Sequence, residues 1–159
     1  MASDIFAKLG DIKGESLDDK HKDEIEVLSF SWGVANPDDG RSAAGVARGR
    51  TTFQDLTFVH KIDKASPGLL RACATGTHLK DATITHRKAG KEQHEYLVVK
   101  MDDIVITGVS HGGSNEIGAS ESVTLAFAKV QVEYKTQRPD GSLGPSEFFK
   151  YDLRTHKEG

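Results

Sequence analysis

Gly108, Val109, Ser110, His111 and Gly112 reproduce the G-x-S-x-G spacing of a hydrolase nucleophile elbow, and Asp152 and His156 follow in the order an acyl-transfer triad needs. An elbow requires a strand, a sharp turn and then a helix, which together hold the serine exposed above an α/β sheet. Gly112-Gly113-Ser114-Asn115 instead predicts a turn between two strands, so the match is read as accidental. Seven histidines invite a metal reading, with His78, His86 and His94 at regular intervals. Histidines on separate strands converge only through tertiary packing, and no H-E-x-x-H or comparable ligand set accompanies them. Solvated or hydrogen-bonded imidazoles are expected. Asp102 and Asp103 are adjacent, but successive strand residues point to opposite faces and cannot share one acid/base task. The only cysteine, Cys73, allows neither an intramolecular disulfide nor a Cys-based zinc cluster within the chain, and it reads as a small buried hydrophobe. No catalytic residue, cofactor or metal ligand is expected.

The elements that carry these residues are mostly strands. At 159 residues, with 36% hydrophobic and 28% charged side chains, the chain fits one domain spanning residues 1–159. Its mean hydropathy of −0.46 suits a globular protein, and no apolar run approaches the roughly 20 residues of a bilayer-crossing helix. Membrane insertion is not expected. The start, Met1 to Phe6, lacks the basic and apolar segments of a secretory signal, so synthesis in the cytoplasm and export by some other route are expected. A net charge of −3 argues against nucleic acid as a partner, although Arg41, Arg48 and Arg50 cluster in one segment.

Turn signals arrive at intervals suited to short strands. A first strand is expected from Asp4 to Leu9, followed by turns at Gly10-Asp11 and Gly14. The charged stretch from Asp18 to Glu24 reads as a solvated loop. The Ile25–Val34 segment alternates most clearly, with Leu28, Phe30, Trp32 and Val34 on a core face and Ser29, Ser31 and Gly33 on a small, wettable one. A long charged loop runs from Asn36 to Gly49, and strand character returns from Thr51 to Val59. One short helix is predicted: Ser66 as N-cap, Pro67 at the first position, Gly76 as the stop, and Leu69, Leu70, Cys73 and Ala74 on one face. Strands follow at about 81–88, 94–109, 121–135 and 147–154. In 96–106 both faces carry apolar residues, and in 121–135 the apolar set switches parity from Val123, Leu125 and Phe127 to Val130, Val132 and Tyr134. That switch predicts a bulge or a change of packing partner. The fold class expected is mainly β: an antiparallel barrel of two packed sheets with one flanking helix. The helix is too small to cover all the surplus apolar surface, and neighbouring subunits are the natural cover.

These residues resemble a known family. Asp4, Phe6, Lys8, Gly10, Asp11, Lys13, Gly14, Glu15 and Ser16 look like the opening of haemolysin-coregulated proteins (Hcp), the tube proteins of type VI secretion. Ile25, Val27, Leu28, Ser31, Trp32 and Gly33 look like that family's second strand. The similarity continues through Lys61, Asp63, Lys64 and Pro67, then Arg87 to Gly90, then Val123 to Tyr134. The charged 37–50 loop and the tail at Tyr151 to Arg154 depart from the family pattern. The resemblance implies a barrel assembled as a homo-hexameric ring, with rings stacked head to tail into a hollow tube inside a contractile sheath. It implies that contraction drives tube and spike tip out of the cell, with effector proteins in the lumen. It also places the face of Ser29, Ser31 and Gly33 inward, with Ser31 as the best candidate for touching cargo.

Asp38, Asp39, Arg41, Arg48 and Arg50 are expected at a ring or stacking interface, where complementary charge sets register. A rival reading, a monomeric barrel binding carbohydrate or peptide, would need aromatics on an exposed face. Alternation instead sends Trp32, the only tryptophan, into the core.

Overall fold

The computed structural model describes residues 3–37, 51–88 and 94–159. Strands β1 (Ser3–Leu9), β2 (Ile25–Val27), β3 (Ser29–Ala35) and β4 (Thr52–Lys61) precede helix α1 (Ser66–Thr75). They are followed by β5 (His78–Lys88), β6 (Glu95–Ser114), β7 (Gly118–Gln137), β8 (Leu143–Asp152) and β9 (Lys157–Glu158). All pairings among these strands are antiparallel. The main path runs β2-β1-β5-β6-β7-β4-β3, with β8 added to β7 and β9 to β8.

The two ends of that path are consecutive pieces of one chain. What reads as a single Ile25–Val34 strand breaks at Leu28: β2 pairs with β1, and β3 pairs with β4. Leu28 donates its N–H to the Val59 carbonyl at 2.8 Å, turning the chain from one margin to the other and closing the barrel. The break corrects the predicted core face. Phe30 and Trp32 pack against the core, but Leu28 and Val34 are 57% and 51% exposed.

The parity switch in the 121–135 segment is a change of partner. One margin of β7 pairs with β4 through Ser120–Leu125, and from Lys129 onward it pairs with β8. The same level of β6 carries Asp103 at φ +52, unusual for a non-glycine residue. Buried positions change from Val99 and Met101 to Ile104 and Ile106 across it. The doubly apolar 96–106 segment is thus one strand that turns its inward face over at Asp103. On the far side of β7, β8 accommodates Gly144 and Pro145 where its pairing with β7 shifts, the place a strand tolerates proline.

Leu9, Ile25, Leu56, Phe58, Leu69, Ile84, Met101, Ile104, Ile106 and Leu125 are fully buried in one core. Helix α1 lies on β6 and contributes Leu69 and Ala72 to it, while Cys73 is only half-buried. Ala65, not Ser66, occupies the N-cap position. Ser66 is the first helical residue, and its hydroxyl accepts from the Asp63 N–H at 3.2 Å. Gly76 ends the helix at φ +66, a left-handed conformation that glycine adopts without steric cost.

The Asp18–Glu24 stretch, predicted as a solvated loop, is locked down. Arg87, 2% exposed, donates to both Asp4 and Asp18, and its guanidinium lies 4.8 Å from the Phe6 ring centre. Hydrogen bonding from Arg87 holds the Asp18 carboxyl down at about 2. His21 stacks on Phe6 at 4.4 Å and meets Glu24 at 3.0 Å and Glu95 at 2.6 Å, one carboxylate at each ring nitrogen.

Candidate functional site

Ser29 and Ser31 are exposed on the face of β3 opposite Phe30 and Trp32, as the alternation predicts, and Gly33 is half-buried on the same face. Phe30 lies opposite Phe58 in the ladder, and Trp32 meets Phe127 edge-on at 6.0 Å. The register shifts between Ser31 and Gly33. A Cβ at Gly33 would sit 3.3 Å from the Gln54 side chain, so the position is tight.

The ladders extend this small-residue face well beyond β3. Ser31 lies opposite Thr57, Thr57 opposite Thr124, and Thr124 opposite Gly108. The next row runs from Ser29 through Val59 and Ser122 to Ser110. Four strands therefore present a hydroxyl-rich surface, while Leu56, Phe58, Val123 and Leu125 of the same strands face the core. The Thr57 and Thr124 hydroxyls are 3.0 Å apart, and the Thr107 hydroxyl donates to Asp55 at 3.1 Å. Thr57, Ser110, Ser122 and Thr124 are the residues that reading β3 alone misses. Alternation within β7, Ser122 and Thr124 against Val123 and Leu125, carries the signal for two of them.

Ser110 belongs to that face and not to a nucleophile elbow. It sits mid-strand opposite Ser122, and β6 runs on through Gly112 and Gly113 to Ser114, into the segment predicted as a turn. The neighbouring His111 bonds to Glu121, not to Ser110. His78 bonds to Asp103 at 2.9 Å, and that bond, with the Arg154 charge, draws the Asp103 carboxyl below the usual carboxylate range. His86 bonds to the Ser3 hydroxyl at 2.9 Å, and burial lowers its imidazole. Among the described residues no group of three His, Cys, Asp or Glu side chains could hold a metal ion. The predicted interface residues Asp38, Asp39, Arg41, Arg48 and Arg50 lie outside the described residues.

The described residues thus form an antiparallel barrel with one flanking helix and a broad, small-residue polar face across β3, β4, β7 and β6. The type VI secretion system effector family, Hcp, matches residues 6–134. The chain is 45% identical to the protein hcp1 of Pseudomonas aeruginosa over 152 residues, covering 93% of this chain and 94% of that one. It is 30% identical to the major exported protein of the same species, covering 83% and 81%. Hcp1 of Salmonella typhimurium superposes with a TM-score of 0.82 at 40% identity over the full length of both chains. A type six secretion system protein superposes at 0.92 and 26% identity, covering 99% of this chain and all of that one. The chain belongs to the Hcp family of type VI secretion proteins, a family of secreted tube and effector proteins. No helix among the described residues is long and apolar enough to cross a membrane.

Proposed function

We propose that this chain is the subunit of the type VI inner tube: six copies close into a ring, and rings stack head to tail into a hollow conduit. The observation that carries this reading is the four-strand wall of Ser29, Ser31, Thr57, Ser110, Ser122 and Thr124, backed by a continuous apolar core. A lumen needs a wettable wall without large protrusions, and effector proteins pass along it. The tube assembles in the cytoplasm inside the sheath, behind a spike-tip protein, and contraction exports it. Sheet margins suit closure of the ring. Among the described residues β3 pairs only with β4, and β8 pairs on its outer side only at Tyr151 and Asp152. Tyr134 and Phe148, at 44% and 55% exposure near the β8 margin, offer apolar surface to a neighbour. Head-to-tail contact of two different surfaces makes a ring when the rotation closes. Stacking would draw on Asp38, Asp39, Arg41, Arg48 and Arg50.

Replacing Ser31 by tryptophan tests the wall. Rings should persist by sedimentation while effector co-purification falls. Loss of rings would mean Ser31 is structural, and unchanged effector retention would remove it from the lumen.

A further inference from the structure

We propose that His60, Glu121 and His111 form a proton-dependent clamp that fixes the projecting β6–β7 hairpin to the barrel. The ladder pairing of β7 with β4 ends at Ser120 opposite Lys61, with one further bond from the Ile62 N–H to the Ala119 carbonyl, and residues 111–119 of the hairpin are all exposed. A two-stranded ribbon alone is marginally stable in water. Its order depends on how its root is held.

At that root Glu121 and His60 are both fully buried. One carboxylate oxygen of Glu121 meets His60 Nε2 at 2.7 Å, and the other meets His111 Nε2 at 2.5 Å. One carboxylate thereby ties β4, β6 and β7 together. Among the described residues the buried His60 Nδ1 has no hydrogen-bond partner, and Asp63 Oδ1 lies 3.9 Å from it. The titratable groups facing the cluster are His60 from β4, His111 from β6, Glu121 from β7, Asp63 from the turn before α1, and Glu15 from the loop after β1. Burial pushes the Asp63 carboxyl up, His60 opposes that rise, and Glu15 and Glu121 add to it. Three carboxyls share this corner with two imidazoles.

Counting charges gives the direction. With both imidazoles neutral, Glu121 is a buried carboxylate without a counter-charge, a costly arrangement. A proton on either imidazole supplies that charge. On His60 it also makes both ring nitrogens donors, one toward Glu121 and one on the side of Asp63. The clamp's contribution is therefore present at pH values where these imidazoles carry a proton, and it is lost as rising pH removes it.

The test is amide exchange of residues 111–119 in the full chain, corrected for the intrinsic pH dependence of exchange and run at matched assembly state. Hairpin protection should fall about tenfold or more as the pH is raised from about 5 to about 8. Glu121→Gln should abolish that change, and His111→Gln, at an exposed position, should reduce it. Should Glu121→Gln disturb the barrel, visible as lost protection in β1 and β5, His111→Gln decides alone. Flat protection in the wild type, or a His111→Gln variant with the wild-type pH dependence, overturns the proposal.

Discussion

Thr57 and Thr124 stand opposite each other on β4 and β7 with their hydroxyl oxygens 3.0 Å apart, on the side of the sheet away from Phe58 and Leu125. The same two strands turn hydroxyls outward and fully buried apolar side chains inward. This relationship makes the wall both wettable and firm.

Thr124→Val removes that bond while keeping the side-chain volume. The expected loss is about 1 kcal/mol, read as a fall in Tm of roughly 2–4 °C for a chain of this size. Combining it with Thr57→Val should cost no more than either change alone, because the second hydroxyl is then no longer left without its partner. Strictly additive losses in the thermal melts would contradict the pairing.

Arg87→Met should destabilise by about 2–3 kcal/mol, less than for a fully buried pair because Asp4 and Asp18 can still reach water. The sign of the pH effect follows from Asp18, held at about 2 by Arg87. A carboxyl held down in the fold contributes stability above its ordinary value near 4, and loses it as pH falls toward about 2. Urea unfolding across that range should show an acid-dependent loss in the wild type that is smaller in Arg87→Met. Equal acid dependence in both would refute the assignment.

Gly14→Ala should cost about 2 kcal/mol or more, because its Cβ would meet the Glu24 carbonyl oxygen at 2.5 Å and the backbone would have to move. The Gly14 N–H donates to Asp23 at 2.7 Å, so amide exchange should quicken through residues 14–24 before it does in the core. Wild-type stability in the variant would show that this close approach is absent in solution.

Salt should weaken ring stacking through Asp38, Asp39, Arg41, Arg48 and Arg50 while single rings persist, since exposed charges are screened beyond about 10 Å at 0.1 M. Light scattering across a salt series measures this. Stacking that ignores salt would take the charged loop out of the interface.

Much of this architecture is legible in the residues, and the exceptions share a cause. Phe30 and Trp32 announce their inward face because strand side chains alternate with period two. Leu28 breaks the pattern because there the chain leaves β1 and joins β4, a property of pairing that local spacing does not contain. The reversal of face in β6 depends on Asp103 at positive φ, and no glycine marks it. Ser31 is readable as part of a small-residue face, but its extension through Thr57 and Thr124 requires knowing which strands are neighbours. The order of the Asp18–Glu24 loop likewise comes from Arg87, far away in the chain, and a run of charges alone looks solvated. The resemblance to the Hcp family implies a fold that periodicity alone does not specify, and the family match over residues 6–134 bears the resemblance out.

The tube reading is tested most directly by negative-stain microscopy of the purified chain combined with sedimentation velocity over a range of concentrations. The account predicts annular particles with a central hole and a sedimenting species of six subunits. A strictly monomeric species at every concentration, with no annular particles, would contradict it.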